Sequence, residues 1–286
     1  MRNFTVLLFA VVGLSFQNYL PKKIMAEEGL RIMSYNIRYN NPGDGKRAWD
    51  YRKEEVASLI HFYSPDLVGL QEVLHGQLLY LEEQLSDYGR IGVGRDDGKQ
   101  AGEYSPVFYR KDQLGLLDQG TFWLSGTPDQ PSVGWDASME RIATWGQFRR
   151  KEQGDTVFVL NTHFDHRGEQ ARQQSARLIR QWISQHAADH PVMVTGDFNS
   201  SPTSVPYQIL VGGGGLQDAY TISQLPSVGP DLSFSGFVVT DSLPGERIDY
   251  VFVSPAVQVK RHAIVASFNN GYFPSDHLPV VADVVW

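Results

Sequence analysis

Short apolar or alternating runs recur along the chain, separated by stretches rich in Gly, Pro, Asn and Asp. Such runs predict β-strands at Leu30–Ile37, Leu67–Leu70, Gly89–Val93, Ser105–Tyr109, Gly115–Trp123, Ile142–Arg149, Thr156–Asn161, Val192–Thr195, Arg247–Val253, Val259–Ala266 and His277–Val285. Apolar residues at helical spacing predict helices over Tyr51–Tyr63, His75–Leu85 and Glu169–His186. This order, mostly sheet with helices between some strands and no visible linker, predicts an α/β or α+β sandwich of two sheets in one domain.

The first 26 residues have a different pattern. Arg2 precedes an apolar run, Phe4–Phe16, which has the length of a signal-peptide core and is too short to span a bilayer. We therefore expect an exported protein, periplasmic or secreted, with residues 1–26 as a signal peptide and residues 27–286 as a single domain. An uncleaved N-terminal anchor is the main alternative, and a buried N-terminal helix is a further one.

The charge balance bears on the kind of partner. The chain has 42% hydrophobic and 20% charged residues, as soluble globular proteins do. Without residues 1–26 it keeps 22 basic residues against 32 acidic ones, a formal charge of −10. Proteins that bind long nucleic acids usually carry a basic face, so this balance does not favour such a partner. The chain has no cysteine, so it forms no disulfide. No integral membrane partner is evident, and we expect a monomer.

Polar side chains suited to catalysis stand where apolar runs stop or start: Asn36, Glu72, His163, Asp197, Asn199, Asp249 and the pair Asp276–His277. Each also has an ordinary explanation, as a turn former, a helix cap or a core or surface histidine whose ring nitrogens are hydrogen-bonded. Asp249 is harder to explain so, because a lone carboxylate inside an apolar strand is costly unless it is paired or bound to a metal. Asp197 and Asn199 are two residues apart, so we expect their side chains to meet one small target. Seven such placements in one chain indicate a shared site.

Six short motifs containing these residues appear in a fixed order: SYNI (34–37), LQE (70–72), NTH (161–163), GDFN (196–199), RIDYV (247–251) and SDHLPV (275–280). Together they resemble the signature of the endonuclease/exonuclease/phosphatase superfamily, from residue 30 to the end of the chain. That superfamily includes pancreatic-type deoxyribonucleases, abasic-site endonucleases, nocturnin-type deadenylases, neutral sphingomyelinases and inositol polyphosphate 5-phosphatases. The resemblance implies a four-layered α/β sandwich, two mostly antiparallel sheets flanked by helices, with the site where the loops of both sheets meet.

The resemblance also implies a metal site. Glu72 would be the main Mg²⁺ ligand, with Asn36 and Asp276 beside it, and Mn²⁺ is an alternative ion. One or two carboxylates are enough, since Mg²⁺ prefers oxygen donors and keeps several of its waters.

The catalytic roles implied by the resemblance fall on five residues. His277 would donate to a phosphoryl oxygen, with Asp249 accepting from its other ring nitrogen and favouring the imidazolium. Asp197, oriented by Asn199, would take a proton from the attacking water or bind a second metal. His163 would bind phosphate or protonate the leaving oxygen.

Three further residues are expected at the site. Glu103 is the candidate carboxylate partner of His163, by analogy with the deoxyribonucleases. Arg38 stands where abasic-site enzymes have an aspartate, which disfavours their metal arrangement and makes Arg38 a candidate for contact with a substrate phosphate. Arg141 resembles a segment of the deadenylase-like branch, where a substrate contact and a structural salt bridge are equal alternatives.

The combined expectation is a Mg²⁺-dependent phosphoesterase that attacks phosphorus with water, acting on small or lipid-linked phosphate esters. A nuclease acting on RNA or DNA is the alternative within the enzyme class. A binding module that kept the fold and lost the chemistry is the alternative of another class, and the complete set of polar groups disfavours it.

Overall fold

A computed structural model describes residues 29–187, 189–239, 245–269 and 271–286. The predicted signal peptide or anchor, residues 1–26, lies outside the described residues. Across the part that is described, no helix combines the length and the apolar character needed to cross a membrane.

The elements follow the predicted order, with small shifts at their ends. The strands are β1 (Leu30–Asn36), β2 (Leu67–Gln71), β3 (Tyr88–Ile91), β4 (Val107–Arg110), β5 (Leu114–Trp123), β6 (Ile142–Arg150), β7 (Thr156–His163), β8 (Val192–Asp197), β9 (Gln217–Asp218), β10 (Asp249–Val253), β11 (Gln258–Ile264) and β12 (Val280–Val285). The helices are α1 (Lys53–Tyr63), α2 (His75–Gln84), α3 (Glu169–His186), α4 (Val205–Val211) and α5 (Ala219–Ile222), with 3₁₀ segments at Pro42–Arg47 and Trp49–Tyr51. Helices α4 and α5 and strand β9 lie between predicted strands, in a region for which the sequence pattern predicts no helix or strand.

The strands form two six-stranded sheets, in the orders β11-β12-β1-β2-β4-β3 and β5-β6-β7-β8-β10-β9. Each sheet has one parallel pair near its middle, β1–β2 in the first and β7–β8 in the second, and its other pairs are antiparallel. Parallel neighbours need a crossover connection, which α1 supplies in the first sheet and α3 in the second. The predicted α/β sandwich of two mostly antiparallel sheets is confirmed.

Alternation along the strands explains the four layers. In β1, Ile32 belongs to the apolar core between the two sheets, whereas Met33 packs into the layer that holds α1 and α2. In β7, Val159 faces the core between the sheets and Leu160 faces the layer of α3 and α4. Both faces of each sheet are therefore covered, as the apolar strands predict.

A buried polar seam joins the sheets near their middle. Nδ2 of Asn161, in the second sheet, donates to the carbonyl oxygens of Leu70 (2.6 Å) and Pro106 (2.9 Å) on the side of the first. Oδ1 of Asn161 accepts from Gln71 (2.7 Å) and from Thr195 (3.0 Å). Both the amide nitrogen and the amide oxygen of Asn161 are thus fully engaged, which fixes how the two sheets pack against each other.

Glycine at position 69 makes this close approach possible. A Cβ atom at Gly69 would lie 2.0 Å from Oγ1 of Thr195 and 2.5 Å from Oδ1 of Asn161. No side chain fits there without moving the sheets apart.

Candidate active site

The polar residues meet at one end of the sandwich because both parallel pairs end there. Asn36 is the last residue of β1, and Glu72 directly follows β2. His163 ends β7, Asp197 ends β8, and the two are paired in register. Asp249 starts the antiparallel strand β10 opposite Asp197. The strand register thus brings these side chains together.

The centre of the site is a histidine held by two carboxylates. Nδ1 of His277 lies 2.8 Å from Oδ2 of Asp249, and its Nε2 lies 3.6 Å from Oδ2 of Asp197. Burial opposes a charge on His277, but Asp249 and Asp197 outweigh it and raise the histidine pKa well above its usual value. His277 is therefore an imidazolium at neutral pH. The predicted contact between His277 and Asp249 is present.

Asp197 is a buried carboxyl group whose pKa lies close to neutral pH. Burial, together with the charge of Asp249, raises the pKa of Asp197 to about 7. Nδ2 of Asn36 donates to its Oδ2 over 3.0 Å, and the backbone N–H of Asn199 donates to its Oδ1, also over 3.0 Å. A carboxyl with such a pKa can exchange a proton at physiological pH.

Three side chains with oxygen atoms, those of Asn36, Glu72 and Asp276, lie next to the group formed by His277, Asp249 and Asp197. Nδ2 of Asn36 donates to Oε1 of Glu72 over 3.1 Å, and the backbone N–H of Tyr39 donates to Oε2 of Glu72 over 3.0 Å. The guanidinium of Arg38 lies between Glu72 and Asp276, with N···O distances of 3.9 and 3.8 Å. Glu72 and Asp276 therefore both lie within 4 Å of the same guanidinium.

The chemistry of this donor set fits a hard divalent cation. Two carboxylates and the amide oxygen of Asn36, which still has a free lone pair beside its bond from the N–H of Arg38, are the ligand types that Mg²⁺ and Mn²⁺ take. Asp197, Asp249 and His277 could also bring one ligand atom each within 4.8 Å of one another. The protonated His277 is a poor ligand, however, and its Nδ1 is already engaged by Asp249. The set of Glu72, Asn36 and Asp276 fits the metal better.

Asn199 and Asp197 meet one target, as predicted, and that target is the ring of His163. Nδ2 of Asn199 donates to Nε2 of His163 over 3.1 Å, and Oδ2 of Asp197 lies 3.4 Å from the same nitrogen. The side chain of Asn199 orients His163, while only its backbone N–H orients Asp197. Burial, together with Arg141 and Arg95, lowers the pKa of His163 well below its usual value. His163 is therefore neutral.

The expected pairing of Glu103 with His163 is wrong. Arg95 holds both carboxylate oxygens of Glu103, at 2.7 and 3.1 Å. Nδ1 of His163 is buried and has no hydrogen-bond partner among the described residues. The competing arginine lies in the loop before Glu103, where no pattern in the sequence marks it.

Arg141 forms the structural salt bridge that was one of its two predicted alternatives. Its Nε lies 3.4 Å from Oδ2 of Asp165, and its Nη2 donates to Nδ1 of His166 over 3.0 Å. Asp165 in turn accepts from Ser138 and from the backbone of the turn before α3. This cluster ties the loop between β5 and β6 to the end of β7. Contact of Arg141 with a substrate stays a prediction.

Two features of the site have no signal in the sequence. Arg38, Glu72 and Asn199 have positive φ angles of 57°, 62° and 45°. Non-glycine residues rarely adopt this conformation, and they cluster at functional sites when they do. The exposed ring of Phe234 also packs edge-on against His277, with 5.0 Å between ring centroids.

Comparison with known proteins agrees with this geometry. The model of the Endonuclease/Exonuclease/phosphatase family matches residues 33–277. A solved endonuclease/exonuclease/phosphatase from Bacteroides vulgatus is 44% identical, with a TM-score of 0.85, over 90% of this chain and 98% of that one. The Bacteroides thetaiotaomicron protein described as mannosyl-6-phosphatase Bt3783 is 38% identical, with a TM-score of 0.84, over 90% of this chain and 100% of that one.

A more distant similarity extends to nocturnin. Nocturnin of Drosophila melanogaster is 24% identical over 63% of this chain. That match covers 29% of the length of nocturnin.

Proposed function

Because the chain belongs to the endonuclease/exonuclease/phosphatase family, we propose that it is a Mg²⁺-dependent enzyme that hydrolyses the phosphate ester of a small molecule with water. Members of the family are hydrolases that act on phosphate ester bonds, and this chain is a hydrolase of that class. The observation that carries the proposal is the position of His277, whose Nδ1 lies 2.8 Å from Asp249 and whose Nε2 lies 3.6 Å from Asp197. An acid and a proton acceptor thus stand side by side next to oxygen ligands for a metal.

Glu72, Asn36 and Asp276 would hold the Mg²⁺, and Mn²⁺ could replace it. The ion would supply Lewis-acid stabilisation of charge on the phosphoryl group and lower the pKa of a bound water. The residues of the chain then have separate tasks. Asp197, with its pKa near neutrality, accepts a proton from the attacking water. His277 donates a hydrogen bond to a phosphoryl oxygen, and Asp249 keeps its ring oriented and charged.

His163 has a supporting task in this proposal. A neutral, buried imidazole is a poor proton donor, so in this proposal the leaving oxygen takes its proton from solvent water and not from His163. His163 then holds the side chain of Asn199, whose amide nitrogen donates to its Nε2 beside Asp197.

The arginines near the site already pair with carboxylates of the chain, and this pairing favours a small substrate. Arg38 pairs with Asp44, Arg95 with Glu103, and Arg141 with Asp165. Cations that are already neutralised add little to binding of a long phosphate backbone, whose affinity depends on free positive charge. The similar protein described as a mannosyl-6-phosphatase also supports a sugar-sized ester. A nuclease activity is the second candidate, and the similarity to nocturnin supports it.

The deciding experiment compares kcat/KM for a sugar 6-phosphate, a short oligoribonucleotide and a long duplex DNA at two salt concentrations, with Mg²⁺ and with EDTA. We expect the sugar phosphate to be preferred, with little effect of salt and no turnover in EDTA. The variant His277→Ala is the control for contaminating phosphatases. A preference for duplex DNA that collapses at the higher salt would replace this proposal with the nuclease.

We also propose that the protein is exported and that it is a monomer. The apolar run Phe4–Phe16 supports export. N-terminal sequencing of the protein from its host would test the export, and light scattering of the purified chain would test the monomer.

A further inference from the structure

Arg38 is the one predicted substrate contact that lies among the proposed metal ligands. Its Nε and Nη2 form a fork on Asp44, each at 3.1 Å. Its Nη1 lies 3.9 Å from Oε2 of Glu72, and its Nε lies 3.8 Å from Oδ2 of Asp276. One guanidinium thus faces three carboxylates, two of which are proposed to hold the metal.

The backbone keeps Arg38 in this place. Its N–H donates to Oδ1 of Asn36 over 3.0 Å. Its carbonyl oxygen accepts from Arg52 at 2.6 Å and from Gln77 at 3.0 Å. The residue is held in the left-handed region, with φ at 57°. Strain of this kind persists only where the surroundings enforce it. These bonds fix the backbone at Arg38, and the fork on Asp44 holds its guanidinium beside Glu72 and Asp276.

A fixed positive charge at this position acts directly on metal binding. It attracts Glu72 and Asp276 and so neutralises part of the charge that would attract a divalent ion. It also repels that ion, because like charges a few ångströms apart repel each other even in a water-like medium. Asp44 offsets part of this effect through its fork, but the guanidinium also lies within 4 Å of Glu72 and Asp276, so its charge still acts on both of these carboxylates.

We infer that Arg38 competes with the divalent metal for Glu72 and Asp276. Its positive charge interacts with both carboxylates, weakens metal binding there, and keeps the ion exchangeable. The inference rests on the proposed metal-dependent function. It concerns how tightly the ion is held, and it separates this chain from enzymes with an aspartate at the same position, where the extra carboxylate would tighten the ion.

The test measures metal affinity directly, without reference to turnover. The full chain and its variants Arg38→Met and Arg38→Gln are freed of metal and titrated with Mn²⁺, with free Mn²⁺ followed by electron paramagnetic resonance. Mg²⁺ is titrated calorimetrically. Both neutral variants should bind the ion about tenfold more tightly than the parent. The rise in Tm on addition of Mg²⁺ should be larger in the variants than in the parent.

Arg110→Met is the matched control, because Arg110 also forms a fork on a carboxylate two residues away, Asp112, at the end of β4. Its metal affinity should equal that of the parent. Unchanged or weaker binding in both Arg38 variants would overturn the inference and leave the proposed function intact. A parent chain that binds neither ion would instead contradict the proposed function itself.

Discussion

Nδ1 of His277 and Oδ2 of Asp249 lie 2.8 Å apart, and both side chains are almost fully buried. His277 lies just before β12 of the first sheet, and Asp249 is the first residue of β10 in the second sheet. The contact therefore joins the two sheets as well as two proposed catalytic groups. It also explains why a carboxylate can stand at the head of an apolar strand: its partner is a cation from the other sheet.

His277 and Asp249 should behave as one unit. We expect His277→Ala and Asp249→Ala each to lower kcat by a factor of about 10² or more. The double variant should be little worse than the worse single one, because groups that act together lose their effect together. Steady-state kinetics of the three variants checks this. Losses that multiply in the double variant would show that the two residues act independently.

Glu72 should control metal affinity more than folding. The variant Glu72→Gln keeps an acceptor for the N–H of Tyr39 but loses its charge. We expect Mg²⁺ binding to weaken by about tenfold or more, because a charged ligand to a hard cation becomes neutral. Calorimetric titration with Mg²⁺ measures the change. Glu82→Gln, which removes the surface partner of Arg90, is the control and should bind like the parent. Equal affinity of Glu72→Gln and the parent would disprove the assignment of Glu72.

Gly69 should be intolerant of even one methyl group. The variant Gly69→Ala places a Cβ 2.0 Å from Oγ1 of Thr195, so the sheets must move or the seam must break. Overpacking of this kind costs about 1–3 kcal/mol of unfolding free energy, and we expect the upper half of that range. Gly76→Ala in α2 is the control, since nothing lies within 4 Å of the new atom there. It should be neutral or stabilising by up to about 1 kcal/mol, because alanine favours helix. Urea unfolding compares the two, and equal effects would contradict the close approach at Gly69.

His262 should make the fold sensitive to mild acid. Burial, with the nearby Arg247, lowers the pKa of His262 to about 4, and its Nδ1 lies 2.7 Å from Oγ of Ser227. The unfolded chain, with a histidine pKa near 6.5, binds the proton first as the pH falls. The contribution of His262 is therefore fully present above about pH 6.5 and is lost between about pH 6.5 and 4.

The size of that effect follows from the shift in pKa. It corresponds to about 3 kcal/mol of unfolding free energy over the whole window. Urea unfolding at several pH values, of the parent and of His262→Gln, measures it. The carboxylates titrate in both proteins, so the difference between the two curves isolates His262. Parallel curves would show that His262 does not carry the dependence.

The sequence predicts the strands and the residues at their ends because both follow from local periodicity. An apolar run that stops at Asn36 or Asp197 must place that side chain at the edge of the sheet. Parallel pairing then brings His163 and Asp197 to the same edge. The order of the motifs, together with the family resemblance, was therefore enough for the fold and for most of the candidate site.

What the sequence does not predict depends on long-range competition or on unusual backbone. Glu103 has two possible partners at the site, and only the folded loops show that Arg95 takes it instead of His163. Asn199 has φ at 45°, which breaks the simple alternation and turns its side chain to the ring of His163. Helix α4 is short and begins with a proline in its first turn, so its apolar spacing is too brief to be distinguished from loop.

The 3.0 Å bond from Nδ2 of Asn36 to Oδ2 of Asp197 crosses from one sheet to the other. Neither sheet holds a complete reaction centre, so turnover reports how the two halves of the sandwich are aligned. A small shift of one sheet relative to the other would lower the turnover rate while leaving the circular dichroism spectrum unchanged. Substitutions in the packing between the sheets are therefore expected to lower activity first, and loops that carry none of the site residues are the safer places to re-engineer this protein.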